Sequence, residues 1–176
     1  MGLVLSSSTL KPKGLNSIYN YIYNMIRDKK RAYWITKFEV MLKKYHRKNI
    51  NKIAIKLTQR GYTARYSMAQ RSRKKGVRCT ITVEQIRQLL FYHYHKKCKY
   101  EKDRVLDYKN MVFDHRIPIS KGGESTLENI QVISRFANNV KGSLTENQLY
   151  TLLRWLKKIE PELAKNIKVR LAKGRM

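Results

Sequence analysis

The fold is decided by MVFDHRIPISKGGESTLENIQVISRFANNVKGSLT, residues 111–145. MVF, 111–113, is a short apolar run suited to a strand, and IQVIS, 130–134, is a second one. The SKGGEST segment between them is turn-forming, so the pattern predicts two strands joined by a loop. A helical segment follows from Arg135 and ends at Lys141-Gly142, where glycine tolerates the conformation that closes a helix. Onto this frame the sequence sets Asp114-His115 at the end of the first run, Asn129 just before the second, and Asn138 on the helix. Taken singly, an aspartate caps a turn and asparagines hold loops. Together, in a chain of this composition, they call for a chemical reading.

The charge is the first constraint. Thirty-nine Lys and Arg stand against twelve Asp and Glu in 176 residues, a formal net charge of +27. Such a chain repels itself unless a polyanion is near, and nucleic acid has the matching charge density. A merely solvated surface would intersperse acids among the bases. Here no acid lies between Glu39 and Glu84. The hydrophobic fraction of 42% is that of a globular protein, enough for one substantial core or a small core with helical appendages. Two cysteines, Cys79 and Cys98, make no disulfide framework. No run approaches transmembrane length, and the N-terminus carries no export signal, so a soluble, cytoplasmic protein is expected and a secreted toxin is disfavoured. The opening MGLVLS fits a myristoylation pattern too short to outweigh chance.

Upstream of the core the periodicity is helical. Leu15, Ile18, Tyr19, Ile22, Met25 and Ile26 predict an amphipathic helix over 15–28. Thr36-Lys-Phe-Glu39 has the form of a capping box and predicts a second helix carrying Phe38, Met41, Leu42 and Tyr45. Residues 50–60 read as a short helix closed by Gly61, followed by a basic helix over 62–78 that ends at Gly76. In that basic segment Arg65, Arg71, Arg73, Lys74, Lys75 and Arg78 are candidate phosphate contacts, and Tyr62 and Tyr66 are placed to touch sugar or bases. Thr82-Val-Glu-Gln85 is another capping box, and Thr145 caps an amphipathic helix with Leu149, Leu152, Leu153, Trp155, Leu156 and Ile159. Nine of the twelve acids lie at or after Glu101, which suggests a boundary near residue 97. The resulting division is a helical region over 1–48, a basic DNA-binding region over 49–97, a core over 98–145 and a helical region over 146–176.

The order is His115, thirteen residues, Asn129, eight residues, then Asn138, with Lys141-Gly142 trailing. In this order, with the loop and second strand between, residues 98–145 resemble the catalytic core of the HNH endonuclease family. More weakly, SMAQRSRKKGVRCTITVEQIRQLL resembles the basic and capped helices that precede the core in many phage members. The resemblance implies an α+β protein in which a small ββα-metal core is flanked by helical, basic extensions. It implies hydrolysis of DNA phosphodiesters: His115 matches the general base, Asp114 and Asn138 the protein ligands of one divalent ion, and Asn129 the residue that holds the histidine's loop. An imidazole suits a base because its unperturbed pKa is about 6.5. An amide oxygen at 138, where many members carry histidine, is a hard ligand and implies Mg²⁺ or Mn²⁺. The positions at which zinc-bearing members place two CxxC pairs read Cys98, Glu101, Ser134 and Ala137, so no structural zinc is expected. His93, His95, Cys98 and Cys79 read as the end of a helix and its connection rather than a metal site. Glu124, beside the glycine pair, has no role in this reading.

The resemblance therefore implies a metal-dependent endonuclease acting on double-stranded DNA, similar to the stand-alone homing endonucleases of phage and mobile introns, and a monomer is expected. Arg116 and Lys141 join the candidate phosphate contacts near the cut. The alternative is a non-catalytic nucleic-acid-binding protein that retains the scaffold.

Overall fold

The computed structural model describes residues 13–162. Three helices lead: α1 over Lys13–Leu42, α2 over Ile50–Lys74 and α3 over Val83–His93. A small hairpin follows, β1 over Lys97–Cys98 and β2 over Glu101–Val105. The central hairpin is β3, Met111–His115, with β4, Ile130–Ser134, and the chain continues into α4, Arg135–Lys141, and α5, Glu146–Ile159. Over the described residues the protein is thus mixed α and β, mostly helical, with two separate two-stranded antiparallel sheets. Among the described residues no helix is long and apolar enough to cross a membrane.

The leading helices are longer than the sequence signals suggested. Residues 15–28 and the segment from Thr36 belong to one 30-residue helix, α1. Thr36 caps nothing, because no glycine or proline separates it from the preceding helical run and the chain has no reason to leave the helix there. The second half of α1 buries Trp34, Phe38, Met41 and Leu42, whereas residues 20–33 are exposed. Residues 50–60 and 62–74 are likewise one helix of 25 residues, about 37 Å long. Gly61 does not close it. Its role is steric: a Cβ at 61 would lie 2.6 Å from Cγ of Arg87, so glycine lets the Arg87 side chain cross α2 and donate to the Thr58 carbonyl at 3.1 Å.

Two capping boxes form as their spacing predicts. Thr82 Oγ1 accepts from Gln85 N at 3.1 Å while Thr82 N donates to the Gln85 side chain at 2.9 Å. Thr145 and Gln148 make the same reciprocal pair at the start of α5. Ser134 caps α4, its Oγ accepting from Ala137 N at 2.9 Å.

Among the described residues the larger of two hydrophobic clusters joins the helices to the central hairpin. Trp34 and Phe38 from α1, Leu57 from α2, Leu90 from α3, Met111 and Val132–Ile133 from the central hairpin, and Ala137 from α4 all belong to it. The helices and the hairpin therefore share a core across the charge boundary near residue 97. Arg60 of α2 reinforces the join by donating to the Tyr108 carbonyl at 3.1 Å and to the Met111 carbonyl. The tertiary consequence is that the basic helix α2 is fixed against the element that carries Asp114 and His115.

Candidate active site

The central hairpin sets the site's register. Asp114 pairs with Gln131 and His115 with Ile130, and every residue of β4 is buried. β3 is longer than MVF suggested and runs through Asp114-His115. The loop that joins the strands passes through a short 3-10 turn, Ile119–Lys121, and then Gly122 with φ 82°, a left-handed conformation that glycine adopts without strain. Gly123 is required for a different reason. A Cβ there would sit 1.8 Å from the Ile117 carbonyl oxygen, so the loop folds back on itself only without a side chain.

Asn129 fastens that fold. Its Oδ1 accepts from Ile117 N at 2.9 Å, and its Nδ2 donates to the carbonyls of Ile117 at 3.0 Å and Glu124 at 2.7 Å. Its own carbonyl accepts from Arg116 N at 2.8 Å. These bonds span both sides of the loop that follows His115. Glu124 forms a two-pronged ion pair with Arg78, at 3.0 and 2.8 Å from Nε and the terminal nitrogen. The loop is thereby joined to the segment after α2. The backbone makes the same connection, through a bridge between Cys79 and Ser125.

Asp114 and His115 are both buried. The Asp114 carboxylate accepts from Gln131 Nε2 at 2.9 Å and from Lys141 Nζ at 3.2 and 3.1 Å at its two oxygens. Lys141 also donates to the His115 carbonyl at 2.8 Å, and its side chain is fully enclosed. This corrects the reading of Lys141 as a phosphate contact. The spacing that puts it one helical turn beyond Asn138 turns it inward under the hairpin. His115 Nε2 lies 2.8 Å from Ser125 Oγ. Burial, then the charges of Arg71 and Lys141, push its imidazole down to about 4, with Asp114 opposing them. Histidine is therefore neutral near pH 7 and available as a proton acceptor. Ser125 Oγ also lies 2.8 Å from Ser72 Oγ, which brings the C-terminal end of α2 close to the histidine.

Asn138 is half-buried on α4, which packs on both strands of the hairpin. Asp114 and Asn138 offer a carboxylate and an amide oxygen, donors that suit a hard divalent cation completing its shell with water and phosphate oxygens. The carboxylate is already arranged to stabilise positive charge, since it holds the Lys141 ammonium; a divalent ion there shares Asp114 with Lys141 or displaces it. Among the described residues no group of three or more His, Cys, Asp or Glu gathers as a metal cage. The residues present fit a two-ligand hard-ion site in donor chemistry. The four CxxC-like positions are joined by hydrogen bonds: Cys98 Sγ accepts from Ser134 N at 3.4 Å, and Ser134 Oγ donates to Glu101.

Of the basic candidates, Arg71, Arg73, Lys74 and Lys75 are exposed at the end of α2, and Arg65 is half-exposed higher on the same helix. Tyr62 and Tyr66 share its solvent face. Arg78 is exposed but paired with Glu124, and Arg116 is paired with Glu146 at 3.1 Å. Outside the loop lies a cleft of about 510 Å³ lined by Arg116, Gly123, Glu124, Glu128, Asn129 and Glu146 among others. Two of its carboxylates, Glu124 and Glu146, are paired with arginines, and neither Asp114 nor His115 lines it. The exposed basic residues lie instead at the end of α2.

Sequence reasoning missed Ser72, Ser125 and Gln131. Gln131 was reachable, because an antiparallel register that pairs His115 with Ile130 sets it opposite Asp114. No local signal marks the two serines. No family model, curated protein or solved structure matches this chain.

Proposed function

We propose that this protein is a metal-dependent endonuclease that hydrolyses phosphodiester bonds of double-stranded DNA, with His115 as general base. The observation that carries the reading is a neutral, buried imidazole, next to Asp114 in the strand and linked through Ser125 to the end of a basic helix with exposed charges. Arg71, Arg73, Lys74 and Lys75 grip phosphates, His115 takes the proton from the attacking water, and Asn129 keeps the loop beyond it closed. Asp114 and Asn138 would hold Mg²⁺ or Mn²⁺, which when bound neutralises charge on the phosphate and the leaving oxygen. A core this small reads few bases alone, so α2 extends the footprint as in a site-specific homing endonuclease of a phage or mobile intron, working in the cytoplasm. The deciding experiment is incubation of the purified protein with supercoiled plasmid, with and without Mg²⁺. Nicked or linear product that depends on the ion supports the reading, and its absence removes it.

One observation favours a second reading, a non-catalytic nucleic-acid-binding protein. His115 is only 5% exposed, and Asp114 is already neutralised by Lys141. Plasmid binding without cleavage under any divalent ion would select it.

Two predictions belong to this reading. Binding to duplex DNA weakens steeply with salt: with about six phosphate contacts, the slope of log affinity against log salt is about −5. Changing Arg71, Arg73, Lys74 and Lys75 to glutamine flattens it. An unchanged slope, measured by fluorescence anisotropy, places α2 off the DNA. Chelation stops cleavage, and Mg²⁺ or Mn²⁺ restores it better than zinc. Asn138→His shifts the preference towards nickel, cobalt or zinc by adding a softer nitrogen donor. Cleavage rates over a panel of ions decide this, and identical profiles for the two proteins separate Asn138 from the ion.

A further inference from the structure

His115 is tied to a helix outside its own hairpin. Its Nε2 lies 2.8 Å from Ser125 Oγ, and Ser125 Oγ lies 2.8 Å from Oγ of Ser72, in the last turn of α2. The three residues are 5%, 0% and 1% exposed, so no bulk water competes for these contacts. Ser125 is also held by its backbone. Its N–H donates to the Arg78 carbonyl at 2.9 Å, and its carbonyl accepts from Thr80 and Ile81 at 3.1 Å each. The hydroxyl between imidazole and helix is therefore fixed in place before any hydrogen is considered.

A hydroxyl has one hydrogen to give and lone pairs to receive others, so the chain of contacts runs in one of two directions. In one, Nε2–H donates to Ser125, Ser125 donates to Ser72, and Nδ1 keeps a free lone pair. In the other, Ser72 donates to Ser125, Ser125 donates to Nε2, and the ring hydrogen sits on Nδ1, which then accepts no proton. The position of Ser72 favours the first. The C-terminal end of a helix carries partial negative charge and attracts the positive end of an O–H dipole.

We propose that Ser72 and Ser125 are positioning residues for His115, their hydroxyls fixing the Nε2–H tautomer so that Nδ1 is the proton-accepting nitrogen. The helix that grips DNA then also orients the reacting side chain, and the hairpin is incomplete without α2. This rests on the nuclease reading above.

Long-range proton–nitrogen correlation spectra of the full chain, near neutral pH and without metal or DNA, report the tautomer directly. The wild-type His115 signals, assigned by their loss in His115→Ala, are expected in the Nε2–H pattern. Ser125→Ala and Ser72→Ala are expected to move them towards a mixture. Alanine suits a helix interior better than serine, so the variant at 72 keeps α2 intact even where the change at 125 disturbs packing. On plasmid the expected cost of Ser72→Ala is about three- to tenfold in kcat, the effect of one neutral hydrogen bond, with KM and DNA affinity unchanged. Ser72→Thr returns the hydroxyl and recovers the rate. An unchanged tautomer pattern in folded Ser72→Ala, or an unchanged kcat, overturns the proposal. A tautomer shift in a protein whose wild type cuts nothing supports the positioning and counts against the nuclease reading instead.

Discussion

Replacing His115 with alanine should slow plasmid cleavage by about 10²–10⁴-fold, the usual contribution of a positioned general base, and leave DNA affinity close to wild type. The separation is expected because the side chain is buried, while the exposed charges of α2 are untouched. A variant that cuts within a few-fold of wild type would remove His115 from the chemistry. The same substitution has a signature in stability. Burial first, then Arg71 and Lys141, hold the imidazole at about 4 in the folded protein against an ordinary 6.5. Between those values the unfolded chain binds a proton that the folded one refuses. The stability contribution is therefore full above about pH 6.5 and is lost as pH falls towards 4. Urea unfolding across that window should show a shallower pH dependence for His115→Ala than for wild type.

The second large effect is expected at Lys141. Exchanging it for methionine, which has a similar length and no charge, should destabilise the protein by about 3–5 kcal/mol. The change leaves Asp114 buried with one remaining side-chain donor, Gln131, and leaves the His115 carbonyl without the ammonium that now satisfies it. Pairing Lys141→Met with Asp114→Asn should recover part of the loss, because the carboxylate that needed a counter-charge is gone. Chemical denaturation of the four proteins closes the cycle. A loss under about 1 kcal/mol would show that water or another cation takes the place of the lysine. Adding Mg²⁺ tests the link to function: if the ion binds at Asp114, it stabilises Lys141→Met more than wild type.

Much of the local structure was legible because its causes are local. The capping boxes at Thr82 and Thr145 need only a threonine and a glutamine three residues apart, and both form. The hairpin follows from two apolar runs separated by turn residues, and Asn129 lies at the start of the second run, where its side chain reaches back across the loop. The errors are equally physical. Thr36-Lys-Phe-Glu39 has the spacing of a cap, but a cap forms only where the chain enters a helix, and here it was already inside one. Gly61 was read as a stop, yet one glycine costs a helix only about 1 kcal/mol, less than the packing of Arg87 and the core residues around it returns.

The sequence by itself determined the strongly positive charge and the strand–loop–strand–helix unit that carries Asp114, His115, Asn129 and Asn138, because these depend on residue type and short-range spacing. The tertiary structure alone decided which charges face solvent and which are spent inside. Lys141 and Arg73 look alike in the sequence, but one is enclosed against Asp114 and the other stands free on α2. It also decided what holds His115, since Ser72 and Ser125 are 53 residues apart and meet where Met68 of α2 packs with Ile81, Ile86 and Ile130. Contacts of that separation are set by packing, which no window of sequence contains.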